Sequence, residues 1–385
     1  METTYKKKTV FIAACAGMLL FGITLITLGS VTVDLTARFS LDAKNSGTIF
    51  SILPIGILIG SFLFGPICDK YGYKPILSFA ALCMFQGFQG IAFTQNLAVL
   101  YIAVFLFGFG GGIINTGTNA LVSDISENNK GANLSILGVF FGLGAIGMPL
   151  LIGLFKPIAS SFSIVSGVGV ITLLVYIFYL SIAFPKEKVN TTEVPQSDWK
   201  RLLSPLLLLI SMVLFFQSSL EAIINNWTTT FLIEEHGMQA SDALYALSLH
   251  MAGMIVMRVL LGSVMRSWKL NSIMWLSLGL IFMGILTMQV LTTTWGLFGS
   301  LIISGAGLAA GFPAMLGLVG EKYSAISGKA FSLAFGIALI GNILINYLMG
   351  YIIQNYGILS LLTVCYIETA LMALFFTLTM KQKNK

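Results

Sequence analysis

Long apolar runs repeat along the whole chain. Near residues 10–33, 46–68, 76–95, 98–122, 133–155, 160–184, 203–232, 240–265, 271–292, 295–319, 328–353 and 357–380, stretches of mostly apolar residues are separated by short polar interruptions. A helix rises about 1.5 Å per residue, so about 20 residues cross about 30 Å of hydrocarbon. Inside lipid each backbone N–H and C=O needs a partner within the protein, and a single run of this length meets that demand only as a helix. The expected fold class is therefore an all-α membrane protein of twelve transmembrane helices. Composition agrees, with 57% hydrophobic and 9% charged residues in 385, against about a quarter charged in soluble domains. The first run follows the basic stretch Lys6–Lys8. It is too long for the apolar part of a signal peptide and has no small-residue cleavage site after it, so it reads as a retained first span.

The chain carries 21 basic and 15 acidic side chains, a net charge of +6. Placement explains this excess better than a nucleic-acid footprint does. With the N-terminus inside, the inner segments hold Lys6, Lys7, Lys8, Lys70, Lys74, Lys130, Lys186, Lys188, Lys200, Arg201, Arg266, Lys269, Lys322, Lys329, Lys381, Lys383 and Lys385, and the outer segments only Arg38, Lys44 and Lys156. This bias predicts that both termini are cytoplasmic. The short loops and the absence of a long central insert point to a multi-pass protein of a bacterial inner (plasma) membrane. Cys15, Cys68, Cys83 and Cys365 all fall in or beside apolar runs without metal or disulfide spacing, and read as small apolar fillers.

The longest polar interruption, "PKEKVNTTEVPQSDWKR", divides the spans six and six. It predicts bundles at 1–184 and 203–385 joined by a cytoplasmic linker at 185–202. A shift of 197 residues superimposes Gly56 on Gly253, Gly65 on Gly262, Gly108 on Gly305, Gly110 on Gly307, Gly131 on Gly328, Gly153 on Gly350, and Asp124 on Glu321. Helices in lipid associate by close packing, which favours small residues at fixed positions. Two parallel repeats are a transporter arrangement.

The turn after span 2 reads "GPICDKYGYKP". It resembles the signature of the major facilitator superfamily, here carried by Gly65, Asp69, Lys70, Gly72 and Lys74. The resemblance implies two pseudo-symmetric six-helix bundles that expose a midplane site to one side at a time. Gly65 and Gly72 are expected to permit close backbone approach, and Asp69 to cap a helix or pair with a base. The matching turn "GSVMRSWK" has Arg266 in place of Asp69, so the latch is expected on one side only. Within the superfamily, "SLEAIINNWTTTFL" of span 7, "HMAGMIVMRVLLGSV" of span 8, "GKAFSLAFGIALIGNILINYLMGYI" of span 11 and "GFGGGIINTGTNALV" of span 4 resemble the fucose–proton symporter family of sugar permeases. That family carries an acid in span 1 and another in span 4. Span 1 here has none, and Asn115 stands at the span 4 position, which leaves Glu221 as the candidate proton carrier.

Polar side chains inside the spans are the candidate site. Gln217, Glu221 and Asn225 recur at i, i+4 and i+8, with Thr228 on the same face. A carboxylate within the membrane is costly unless it faces water or a partner, so Glu221 is read as substrate-binding and proton-coupling, against a structural contact between helices. Trp227 reads equally as a sugar-stacking face or an interfacial anchor. Asn115 with Asn119, and Asn342 with Asn346, are i, i+4 amide pairs that line a cavity or bond helix to helix. His250 either meets the solute or is a satisfied structural imidazole. Gln86 and Gln89 are expected to bond between helices. Arg258 and Glu321 are expected to form an inner-gate ion pair, unless Arg258 snorkels alone. Gly65, Asp69, Gly72 and Lys74 complete the gating set. Pro54, Pro149 and Pro313 are expected to soften their helices, and Glu368 in span 12 to bond a neighbour.

No catalytic triad, zinc constellation or phosphate-binding loop is present in the sequence, so the chain reads as a non-enzyme needing no cofactor and no metal. The expected function is secondary active transport of a small polar solute, a sugar first. The expected partners are that solute, protons and the lipid bilayer, with no nucleic acid, and the chain is expected to act as a monomer. The alternatives are efflux of drugs or metabolites, suggested by "GLGAIGMPLLIG" in span 5, transport of an amphipathic lipid-like solute, and, last, a non-transporting membrane sensor.

Overall fold

The structure is a computed structural model that describes residues 5–126, 130–185, 202–265 and 267–383. The expected linker residues 186–201, and Arg266, lie outside them. The described residues are all-helical: α1 (Lys7–Phe39), α2 (Ala43–Tyr71), α3 (Tyr73–Phe93), α4 (Leu97–Ile125), α5 (Lys130–Phe155), α6 (Ser161–Ser181), α7 (Pro205–His236), α8 (Ala240–Gly262), α9 (Leu270–Val290), α10 (Thr294–Leu308), α11 (Gly311–Lys322), α12 (Ser327–Tyr356) and α13 (Ser360–Lys383). Among them are 12 spans long and apolar enough to cross a membrane, with α10 and α11 as two halves of the tenth. The protein is a twelve-span, all-α membrane protein.

Helix ends follow local chemistry. The Asn96 side chain accepts from the N–H groups of Ala98 and Val99 at the start of α4, and Ser160 and Thr293 cap α6 and α10 in the same way. Ser204 caps α7, and Pro205 follows at its first position, where the missing N–H costs nothing. At its other end α7 stops on Gly237 with φ +62°, a left-handed C-terminal cap that glycine adopts without strain. Gly72 turns the chain from α2 to α3 with φ +81°.

The helices form two compact units. The first runs to Leu41 and resumes at Ile52, and the second takes Asp42–Ser51 together with α7–α13. In the first, α1 packs on α5 and α4, and α3 on α4 and α6; in the second, α7 packs on α12 and α13, and α10 on α8 and α9. The first turns of α2 thus pack in the second unit. Ser51 Oγ donates to Ile343 O at 2.9 Å, and the Ala43 N–H to Gln354 Oε1 at 3.0 Å.

The 197-residue repeat governs helix bounds as well as composition. Shifted by that amount, Tyr73–Phe93 falls on Leu270–Val290, and Leu97–Ile125 on the tenth span, Thr294–Lys322. The glycines repeat their neighbours too. A Cβ on Gly108 would stand 2.2 Å from Leu53 O, and one on Gly305 would stand 2.0 Å from His250 O. Leu53 and His250 are themselves 197 apart. A Cβ on Gly56 would meet Phe105 O at 2.5 Å, and one on Gly253 would meet Ile302 O at 2.3 Å, again the same shift. At these points helix rests on helix by bare backbone, and dispersion over many such contacts joins them where lipid supplies no hydrophobic drive. Gly65 and Gly262 differ: a Cβ on either meets nothing within 4 Å. Gly65 is therefore an ordinary helical residue of α2, and the close approach expected of it is not made.

Gly108→Ala and Gly305→Ala force backbones apart and should each destabilise by about 1–3 kcal/mol. Gly65→Ala and Gly262→Ala should be neutral or slightly stabilising, by up to about 1 kcal/mol, because alanine lowers the entropy of the unfolded chain. Melting temperatures of the four variants in detergent check this; equal losses at all four positions would contradict it.

Candidate functional site

Most of the candidate polar side chains lie in the second unit, on or around α7. Gln217 is fully buried, and its amide Nε2 donates to Leu308 O at 2.7 Å. Leu308 ends α10. Pro313 lacks the N–H that would continue the ladder, and two residues separate α10 from α11. The carbonyls left over at such a break need other donors. Ser277 Oγ of α9 donates to Gly307 O at 2.5 Å, and Gln217 serves Leu308. Gln217, expected to hold solute, caps Leu308 through its Nε2, while its buried Oε1 has no donor and a Cβ on Gly311 would touch it at 2.3 Å.

One turn beyond Gln217 on α7, Glu221 is partly exposed, and Arg258 of α8 lies within its electrostatic range. Arg258 is half-buried, with no partner for its Nε. The gate pair expected between Arg258 and Glu321 is not made among the described residues. Glu321 is exposed on the last turn of α11, 3.7 Å from its neighbour Lys322.

The next turn of α7 feeds an amide ladder. Asn226 Nδ2 donates to Asn346 Oδ1 at 3.0 Å, and Asn346 Nδ2 in turn donates to Asn342 Oδ1 at 2.9 Å and to Asn342 O at 3.0 Å. Phe50 O of α2 lies 3.4 Å from the same Nδ2. Asn225 is buried with its Oδ1 unpartnered, as is Asn226 Oδ1. Asn226 was not singled out by helical spacing, since it stands one residue off the face of Glu221; its tandem with Asn225 was the available signal. Trp227 is 2% exposed and meets the Phe50 ring edge-on at 5.2 Å, so it is not an interfacial anchor, and its buried Nε1 has no partner.

His250 is fully buried between α8 and α10, with Nδ1 3.0 Å from Ser304 Oγ and 3.3 Å from Leu301 O. Its Nδ1 is thus held between helices as the structural reading expects, while its buried Nε2 has no partner. Glu368 is buried on α13 against Ser219 of α7.

In the first unit, Asn119 Nδ2 donates to Asn115 O at 2.8 Å and to Asn115 Oδ1 at 3.3 Å, and both residues are half-buried on α4. Gln89 makes the expected interhelix bonds, donating to Ser166 O and accepting from Ser166 Oγ. On either side of the α2–α3 turn, Asp69 in the last turn of α2 is exposed and Lys74 in the first turn of α3 is half-buried. Gly72, the N-cap of α3, has no side-chain cap bond, so Asp69 does not cap that helix. Instead Tyr73 Oη donates to Asp124 Oδ2 at 2.8 Å, tying α3 to α4. The repeat positions of Gln217, Glu221 and Asn225 are Leu20, Thr24 and Leu28 on α1, and those of Asn342 and Asn346 are Ala145 and Pro149 on α5. The polar machinery of α7 and α12 has no counterpart in the first unit.

Residues 10–325 match the family model of the Major Facilitator Superfamily. The chain belongs to this superfamily. Among curated superfamily relatives, it is 26% identical over 246 residues to inner membrane transport protein YdiN of Escherichia coli (strain K12), covering 62% of this chain and 57% of that protein. It is 23% identical over 351 residues to the glucose/mannose transporter GlcP of Bacillus subtilis (strain 168), covering 88% of this chain and 86% of GlcP. The match thus spans a little over half of YdiN and most of GlcP. Its fold is that of two solved transporters: nucleoside transporter NupG (TM-score 0.82, 15% identity, 97% of this chain and 99% of that one) and a D-xylose–proton symporter (TM-score 0.79, 16% identity, 97% of each).

The capping role of Gln217 is testable. Gln217→Leu leaves Leu308 O without its donor and should cost about 1–3 kcal/mol, read as a lower melting temperature. Asn225→Leu, which breaks no bond in the structure, should leave stability near wild type. Equal stability of Gln217→Leu and wild type would return Gln217 to the list of solute ligands.

Proposed function

We propose that this superfamily transporter carries a small polar solute, a sugar or related polyol, by alternating access, and that Glu221 brings a proton with it. The observation that carries the reading is the pattern of unmet acceptors on α7. Asn225 Oδ1 and Asn226 Oδ1 lack donors, and the carboxylate of Glu221 lies between them and the break in the tenth span. Hydroxyl groups are donors, and a polyol offers several at once. A buried amide left unpaired penalises a solute lacking those hydroxyls, which is a source of specificity.

The kinship supports this reading. GlcP is named for glucose and mannose, one solved neighbour for xylose and protons, and the other for nucleosides, which carry a pentose. The likeness of α7, α8 and α12 to fucose–proton symporters points the same way. The proposed setting is a bacterial inner membrane with cytoplasmic termini, from the bias of basic residues.

The test is purified protein in liposomes with labelled pentoses, hexoses and sugar acids, with and without an inside-alkaline pH gradient. Saturable uptake of at least one, raised by the gradient, is expected. Glu221→Gln should keep solute exchange and lose accumulation driven by the gradient. Absence of saturable flux for every sugar tested, with flux of amphipathic compounds instead, would replace this reading with the efflux one.

A further inference from the structure

The second unit holds a charge pair that a neutral sugar does not require. Glu221 of α7 and Arg258 of α8 lie within electrostatic range of one another, inside spans 7 and 8, yet make no ion-pair contact among the described residues. The surrounding helices supply little else. His250 of α8 is turned to Ser304, Glu368 of α13 to Ser219, and Glu321 and Lys322 of α11 and Lys329 of α12 stand at helix ends. Arg258 is thus the opposite charge that reaches Glu221.

The packing of α8 on α10 sets the level of Arg258. Gly253 meets Ile302 and Gly305 meets His250. By the 197-residue repeat these two helices correspond to α2 and α4, which run in the same sense where Gly56 and Gly60 meet Phe105 and Phe109 in turn. That spacing carries Arg258 to the level of the break between Leu308 and Gly311. Gln217 reaches the same break from α7, with Glu221 one turn further out. An arginine and a carboxylate therefore converge beside the interrupted span, above Gln217, whose Nε2 serves the backbone and whose Oε1 is unpartnered.

Resting on the transport reading above, we infer that the solute carries a carboxylate, as a sugar acid does, and that Arg258 is the residue that selects it. With Glu221 ionised, the pair is neutral, and an arriving carboxylate adds one uncompensated negative charge within the membrane, which is costly. With Glu221 protonated, Arg258 has a net positive charge to offer, and its planar fork matches a carboxylate with two parallel N–H···O bonds. The loaded site is again neutral. One proton enters per carboxylate, the proton resides on Glu221 while the anion is on Arg258, and both leave together. The cycle moves no net charge.

D-glucuronate and D-glucose, matched in ring and differing at C6, are the probes. In proteoliposomes, glucuronate uptake should be saturable, driven by an inside-alkaline pH gradient, and unchanged by a potassium diffusion potential. Glucose should compete at least about tenfold more weakly, the difference one charged contact makes. Arg258→Ala should lose glucuronate preference by about tenfold or more while melting like the wild type. Arg258→Lys, which keeps the charge and loses the fork, should fall between them and guards against a folding defect. Saturable glucose uptake with glucuronate neither carried nor competing overturns the inference and leaves the sugar reading standing. Equal uptake of both sugars by wild type and Arg258→Ala overturns it as well. Absence of saturable flux of either, with flux of amphipathic compounds, removes the transport reading and this inference with it.

Discussion

Backbone-to-backbone contact is what holds this molecule together. In water, apolar helices associate because water rejects their surfaces; in lipid that drive is absent, and attraction falls off within a fraction of an ångström. The helices must come close, and only glycine lets two backbones meet at the distances seen where Gly108 lies on Leu53 and Gly305 on His250. Everything else in the fold is arranged around those contacts. They set the register between neighbouring helices, and the register decides which polar side chains share a level.

The two units answer the same packing problem in the same way and diverge in what they carry. Where α7 has Gln217, Glu221 and Asn225, α1 has Leu20, Thr24 and Leu28, and Thr24 hands its hydroxyl back to Leu20 O. The first unit has its own polar anchor at one end, where Lys156 pairs with Asp34 at 3.0 Å and Arg38 lies over the Phe162 ring. That cluster ties helix ends together, and the buried hydroxyls of Thr24, Thr27, Ser30 and Thr118 bond back to their own helices. Repeats whose glycines agree and whose polar residues do not describe a shared scaffold with chemistry concentrated in one half.

Much of this was legible in the sequence, for physical reasons. Span length and composition report directly on the solvent, so twelve spans could be read off hydropathy alone. The repeat was legible in part because close packing requires glycine where Gly56, Gly108, Gly253 and Gly305 meet backbone, and the helix bounds obey the same shift. The uses of polar side chains were less legible. An amide reads identically whether it faces solute or caps a carbonyl, and nothing in the residues around Gln217 reveals that the tenth span breaks opposite it, although Pro313 hinted at a soft point. The expected Arg258–Glu321 pair rested on both residues lying toward the same membrane face. Chain position fixes height but not azimuth, and Arg258 lies within electrostatic range of Glu221 instead. Trp227 misled in the same manner: its height suits an interfacial anchor, while its direction takes it inward to Phe50. Gly65 was read from its motif, which marks the turn without saying which of its glycines bears the strain; Gly72 does, at φ +81°.

The interruption of the tenth span sets it apart from its repeat partner. Span four, Leu97–Ile125, is one unbroken helix of 29 residues, and span ten covers the same 29 with its backbone ladder cut. A continuous helix resists bending through every hydrogen bond along it, so its stiffness belongs to the backbone and is nearly indifferent to which side chains it bears. Span ten is held across its gap by Gln217 and Ser277, which come from two other helices. Its compliance is therefore a property of side chains, adjustable one residue at a time by mutation and drift, while its twin keeps a stiffness that sequence change cannot easily reach.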